Sequence, residues 1–306
     1  MTEAAAGAAL PYLDEAAVRA HLRWEALIPA MEQALIDYSA GRVVQPLRQV
    51  LPVAAHGGFL FSMPAATETA VGVKLVTLYP GNAAHGLPTH AAMIVLMGAE
   101  DGRPLAVMDG RLITEMRTAA VSAVATRRLA APDAKVLAIL GSGVQAHAHA
   151  EALRLVRPIE EIRVWSRNPA NAERFATEIG ARATSAEEAV RGADIVVTAT
   201  AATAPILEGA WLKPGAHVNA VGAPRPDWRE LDDRVMANLL VVDSRAGAAA
   251  ESGDVIGAQA AIHAELGEVL AGKIAVPTGA TTIFKSLGMA VEDVTTALLV
   301  YRSATG

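Results

Sequence analysis

The stretch VLAILGSGVQAHAHAEAL, Val136 to Leu153, decides the fold. An apolar run ends in Gly-Ser-Gly, and a segment with helical spacing follows at once. Gly141-Ser142-Gly143-Val144-Gln145-Ala146 fits the pattern G-x-G-x-x-A. In that pattern the first glycine permits a tight turn, the second lets a phosphate approach bare backbone, and the small last residue lets helix and strand pack closely. The helix start then offers its free N–H groups to an anion. The alternative is an ordinary glycine turn. Here the motif follows a predicted strand, opens a helix and sits in a strand–helix–strand unit, the context a dinucleotide site requires.

Further apolar strands lie downstream: EIRVWSR, DIVVTAT, HVNAVG and NLLVVDS, with the helical stretches NAERFATEIG and SAEEAVRG between the first of them. Alternation of this kind predicts a parallel sheet covered by helices on both faces, a Rossmann-type unit. Upstream, residues 14–40 read as one helix that Pro29 kinks or splits. Short strand-like runs follow, and AAMIVLMGAEDGRPLAVMDG reads as a hairpin turning at Asp101-Gly102. The first 110 or so residues are thus one helix and a mostly antiparallel or mixed sheet. Residues 112–130 are helical, capped by Thr114 or restarted at Thr118. The last segment, TTIFKSLGMAVEDVTTALLVYRSA, reads as a helix or helix pair that packs back on the first domain.

Bulk composition narrows the function. The chain has 306 residues, enough for two domains, and a formal net charge of −6 with no basic block, so nucleic acid is not an expected partner. There is no cysteine, which removes disulfides, thiolate metal sites and cysteine nucleophiles. No uncharged apolar run reaches the roughly 18 residues of a membrane span, and the N-terminus lacks the basic start of a signal peptide. The expectation is a cytoplasmic protein.

The end of the second parallel strand selects the nucleotide. NAD-binding folds usually place Asp or Glu there for the ribose 2′-OH. This chain has Ser166, Arg167 and Asn168. An arginine pairs with a 2′-phosphate, so NADPH is expected, with NADH as the alternative. Among groups able to do chemistry, Lys74 lies mid-strand in VGVKLVTLYPG and either points outward or has a reason to point inward. Arg117 sits in TEMRTAAVSA among small neighbours, and Arg48 in QPLRQVLP is similar but less distinctive. Two arginines and a lysine suit a small carboxylic acid. His85, His90, His147 and His149 show no metal-ligand spacing, and for each a structural role is favoured.

Taken together, VGVKLVTLYPGN, GLPTHAAMIVLMG, the Met-Arg-Thr-Ala-Ala helix, LGSGVQA, VNAVGAPRPDWRELD, ESGDVIG and TIFKSLGMAVEDV resemble the ornithine cyclodeaminase/mu-crystallin family over nearly the whole chain. The resemblance implies a homodimer whose substrate-binding and dimerisation domain comprises residues 1–113 with 280–306, around a Rossmann NADP-binding domain at 114–279. It implies that Arg48, Lys74 and Arg117 surround a substrate carboxylate, that Lys74 and Arg117 are catalytic, and that Met63 and Thr89 line the pocket. The expected cofactor contacts are Thr118, Gly141, Ser142, Gly143, Val144, Gln145, Ser166, Arg167, Asn168, Thr200, Val221 and Gly222. Two positions depart from the cyclodeaminases. Pro224 stands where they carry an aspartate, and Phe61 where they carry a glutamate. Proline moves no proton, and APRPDWRELD resembles the ketimine reductase branch. The expected activity is NADPH-dependent reduction of ketimine carboxylates, Δ1-pyrroline-2-carboxylate and Δ1-piperideine-2-carboxylate, to proline and pipecolate. The alternatives are ornithine cyclodeaminase, alanine dehydrogenase, and a non-catalytic NADPH-dependent binding protein.

Overall fold

The computed structural model describes residues 9–306; the N-terminal Ala-rich patch on which the signal-peptide expectation rests lies outside them. The chain forms two compact units. One comprises the described residues through Ala30, then Gly41–Thr114 and Ala290–Gly306; the other comprises Met31–Ala40 and Glu115–Met289.

The first unit is a six-stranded sheet with a helix on it. Its strands are β1 (Tyr12–Leu13), β2 (Gln49–Val53), β3 (Gly58–Ala66), β4 (Ala70–Leu78), β5 (His90–Gly98) and β6 (Pro104–Asp109), in the spatial order β1-β6-β5-β4-β3-β2. All neighbours pair antiparallel except β1 with β6, so the sheet is mixed. The β5–β6 hairpin turns at Asp101-Gly102, where Gly102 adopts φ +68°. The final helix, Ala290–Thr305, lies on β3, β4 and β5. The expected single helix over 14–40 is two, Glu15–His21 and Trp24–Ser39. Pro29 does not split it. The break falls at Leu22, because the Arg23 guanidinium folds back to donate to the carbonyls of Arg19, Ala20 and Leu22 and so finishes the first helix.

The second unit is an eight-stranded, wholly parallel sheet. Its strands are β7 (Val136–Leu140), β8 (Glu161–Trp165), β9 (Arg182–Ala183), β10 (Ile195–Thr198), β11 (His217–Ala220), β12 (Leu239–Val242), β13 (Ile262–Glu265) and β14 (Thr282–Lys285), ordered β13-β12-β14-β11-β10-β7-β8-β9. The order reverses between β7 and β10, which makes the C-terminal ends of those strands the switch point where doubly wound sheets bind ligands. The core is apolar and small-residue rich, with Leu140, Val196, Val218, Leu240 and Ile283 fully buried. Half of the Trp24–Ser39 helix belongs to this unit: Tyr38 Oη lies 2.7 Å from Ser244 Oγ, and Ser39 Oγ donates to Glu265 at 2.7 Å.

Two expectations change here. The segment around Thr282 is a strand, not a helix, and all four of its residues are buried between β11 and β12. The expected domain limit at 279/280 therefore shifts to 289/290. The helix expected at 112–130 runs unbroken over Arg111–Leu129 and contains both Thr114 and Thr118. Its start is capped instead by Asp109, whose carboxylate accepts from Arg111 N at 2.9 Å. At its other end one arginine, Arg157, donates to the carbonyls of Thr126, Arg127, Ala130 and Ala131.

Candidate active site

The glycine turn closes β7 as the sequence pattern requires. Gly141 has φ +132°, and a Cβ there would stand 2.5 Å from the Ala199 carbonyl at the end of β10. Only glycine fits both constraints. Around Gly143 the protein leaves open space: a Cβ would meet nothing within 4 Å. Gly143 is also the cap residue of the helix Val144–Arg154 and has no side chain to occupy its first N–H groups. A bare helix start beside a clear volume fits a pyrophosphate. Ala146 is fully buried, and Gln145 and Val144 occupy the first turn. Ser142 Oγ donates to Ser166 Oγ at 2.9 Å, tying the loop to the end of β8. Arg167 is exposed there. Asn168 has structural work: its side chain accepts from Ala170 N and caps the helix Pro169–Ile179.

Thr200, Val221 and Gly222 follow β10 and β11, and a buried charged cluster holds them. Glu230 accepts from Thr198 Oγ1 at 2.8 Å, Thr200 N at 2.7 Å and Thr200 Oγ1 at 2.6 Å. Gly222 lies against the same carboxyl; a Cβ there would be 2.4 Å from Glu230 Cδ and 2.3 Å from Thr200 O. Lys285 Nζ donates to the Gly222 carbonyl and to Asp254 Oδ2, the latter at 2.9 Å. Asp254 Oδ1 takes the backbone N–H groups of Glu230 and Leu231. Burial pushes the Glu230 carboxyl above the ordinary range, opposed by Lys285 and the threonine donors. None of Glu230, Asp254 or Lys285 was expected from the sequence. The signal present was Lys285 itself, a lysine inside the apolar run TIFKSL, the same signal that picked out Lys74.

In the sheet unit, Lys74 points inward and is 1% exposed. It stands in register opposite Met63 on β3 and Ile94 on β5, both buried on the same face. Its Nζ lies 2.7 Å from Asp293 Oδ2 on the final helix, with both side chains essentially inaccessible. Gln49, the first residue of β2, pairs with Ser62, and the half-buried Arg48 immediately precedes it. Met63, Lys74 and Ile94 thus form a row across β3, β4 and β5, and Arg48 lies just ahead of β2. Thr89 is not in that row. It precedes β5, whose first residue pairs with Leu78, and its hydroxyl meets His90 Nδ1 at 3.0 Å. Arg117 and Thr118, both buried, stand on the helix Arg111–Leu129 in the part belonging to the other unit.

The histidines take structural places. His149 is enclosed between the Gln145 carbonyl and Ser122 Oγ, and burial lowers its pKa to about 4. His147 pairs with Glu178 at 2.8 Å. Pro224 is exposed after Ala223, and Asp227 forms a surface ion pair with Arg225 at 3.2 Å. Among the described residues no group of three His, Asp or Glu side chains is arranged to hold a metal ion, and no helix is long and apolar enough to cross a membrane.

Residues 12–306 match the ornithine cyclodeaminase/mu-crystallin family. The ketimine reductase mu-crystallin of Mus musculus is 51% identical over 302 residues, covering 95% of this chain and 96% of that one. Among solved structures, the Δ1-pyrroline-2-carboxylate reductase of Thermococcus litoralis, in complex with NADH and L-proline, superposes with a TM-score of 0.91 at 38% identity, covering 97% and 98% of the two chains. An archaeal alanine dehydrogenase dimer with bound NAD gives 0.92 at 32% identity, covering 97% and 96%.

Proposed function

The chain belongs to the ornithine cyclodeaminase/mu-crystallin family, and from that premise we propose that it is an NADPH-dependent reductase of ketimine carboxylates. The observation that carries this reading is the inward Lys74, a cation mid-strand in an apolar sheet with its charge met by Asp293 at 2.7 Å. A buried lysine is costly and is kept where its charge has a task. In this reading Arg48, Lys74 and Arg117 hold the substrate carboxylate. The two guanidinium forks match its two oxygens, and the Lys74 ammonium either gives the imine nitrogen its proton or completes the clamp while solvent protonates it. Met63, beside Lys74 in register, packs on the apolar ring atoms, and Thr89 closes the pocket. Thr118, Gly141, Ser142, Gly143, Val144, Gln145, Ser166, Asn168, Thr200, Val221 and Gly222 cradle the dinucleotide. The reduced nicotinamide supplies a hydride when bound. Positioning by the fixed side chains contributes much of the rate.

Purified protein given NADPH and Δ1-pyrroline-2-carboxylate or Δ1-piperideine-2-carboxylate should consume NADPH and yield proline or pipecolate. No NADPH oxidation with either substrate would reject the reading. Ornithine should give no ammonia, since Pro224 offers no proton-exchanging group.

The nucleotide preference rests on Arg167, exposed at the end of β8 with no carboxylate beside it in the Ser166-Arg167-Asn168 run. Arg167→Ala should weaken NADPH about tenfold or more, the worth of a charge-assisted contact, and leave NADH nearly unchanged. Fluorescence titration with both nucleotides reads this, and an equal loss for both would show that Arg167 does not face a 2′-phosphate.

The protein is further read as a homodimer. By strand alternation Tyr12, Leu51 and Met93, 58%, 60% and 44% exposed, share one face of the six-stranded sheet, which supports the dimer that the family resemblance implies. Sedimentation should give twice the chain mass of 31.7 kDa, and the single-chain mass at micromolar concentration would refute it.

A further inference from the structure

The loop that joins β14 to the final helix is held by one buried carboxylate. Asp243, 1% exposed at the end of β12, accepts through Oδ2 from Ser286 Oγ at 3.1 Å, Leu287 N at 2.6 Å and Gly288 N at 2.8 Å. Its Oδ1 takes Ser244 N at 2.7 Å. Three donors on one oxygen fix the Leu287–Gly288 peptides closely. Gly288 has φ +79°, and its bare Cα faces the Arg117 guanidinium. A Cβ there would stand 2.4 Å from Nη1, 2.6 Å from Nη2 and 2.9 Å from Cζ. The Nη tips are nearer than Cζ, so the guanidinium meets the glycine edge-on, and any side chain would have to displace it. The glycine is required twice, by its backbone angle and by its neighbour.

We propose that Gly288, pinned by Asp243, is a positioning residue that sets where the Arg117 guanidinium lies and so the binding of the substrate carboxylate. This rests on the reading of Arg117 as a carboxylate clamp. A fork matches a carboxylate only in register with both oxygens, so a sideways shift of the guanidinium loses the second hydrogen bond while the charge stays. Neither Gly288 nor Asp243 touches substrate in this assignment.

The test is a double-mutant cycle with kcat/KM for Δ1-pyrroline-2-carboxylate as the readout. Gly288→Ala should lower kcat/KM about 10- to 100-fold, the effect of an ångström-scale misplacement, and mainly through KM. In an Arg117→Ala background the same substitution should cost less than about threefold, because the group it displaces is gone. Asp243→Asn, which turns an N–H toward the Leu287 and Gly288 donors, should show the same dependence on Arg117. Equal losses in both backgrounds would overturn the assignment, since backbone strain at φ +79° is independent of Arg117. If Gly288→Ala does not fold, the Arg117→Ala/Gly288→Ala protein decides: recovery of soluble protein supports the contact, and continued insolubility overturns it. A wild-type protein inactive on ketimines sinks the carboxylate reading and this assignment with it, whereas an active wild type with an additive cycle sinks this assignment alone.

Discussion

Lys74→Ala should retain no more than about one-thousandth of the wild-type kcat/KM for a ketimine carboxylate. Two losses combine. A positioned general acid contributes about 10²–10⁴-fold. A charge-assisted contact to the substrate carboxylate contributes a further ~1.5–3 kcal/mol. The same substitution should lower stability, because it leaves Asp293, fully buried on the final helix, without the ammonium now at 2.7 Å. Breaking a buried pair from one side costs about 3–5 kcal/mol. The two effects separate in the double variant Lys74→Ala/Asp293→Ala. Removing both charges should restore most of the melting temperature and none of the turnover. Steady-state kinetics and thermal melts read both quantities. Near-native turnover by Lys74→Ala would end the assignment of Lys74 to the chemistry.

The second large effect lies in the parallel sheet. Asp254→Asn removes the charge facing Lys285 while keeping the side chain's size. The buried ammonium then keeps the Gly222 carbonyl and the nearby Glu230 carboxyl but faces a neutral amide, which cannot accept from Glu230 N, Leu231 N and Lys285 Nζ with equal strength. A loss of about 3–5 kcal/mol is expected, which for a unit of this size lowers the melting temperature by roughly 10 °C. Cofactor affinity should fall with it, since the loops carrying Thr200 and Gly222 depend on Glu230 and Lys285. Asp254→Leu/Lys285→Met, which takes away both charges, should recover stability better than either single change. A melting temperature within a degree or two of wild type for Asp254→Asn would show that the ion pair does not hold these strand ends.

Elements with a strong local signal were legible in the sequence. The glycine turn announces itself because Gly141 and Gly143 meet constraints set within a few residues. The run LAIL before it and the Asp101-Gly102 hairpin are equally local. The pair of Met63 and Lys74 is half legible: each residue type is suggestive, but only the antiparallel register sets them side by side. What escaped was decided at a distance. Thr282–Lys285 reads as helix because Thr-Ile-Phe-Lys is short and runs straight into a helical segment; it becomes a strand because β11 and β12 leave a slot between them. Asp293 looks like a first-turn acid of the final helix, an ordinary place for one, until the fold lays it over Lys74. Gly288 resembles a helix-boundary glycine, and its contact with Arg117 is set by residues some 170 positions apart, an interval no pattern reveals.

Arg157 has a consequence for how much the Arg111–Leu129 helix can yield. By gathering four carbonyls beyond and within its last turn, the guanidinium acts as a rivet at that end. Sliding by one residue, or fraying by one turn, would forfeit several charge-assisted bonds together. The last turn is therefore an anchored end of this rod, on the same helix as Arg117. Under the proposed role of Arg117, mutations that retune its grip on differently sized guests have their leverage in the residues packed on its own side chain, while the far end serves as the fixed point of the beam.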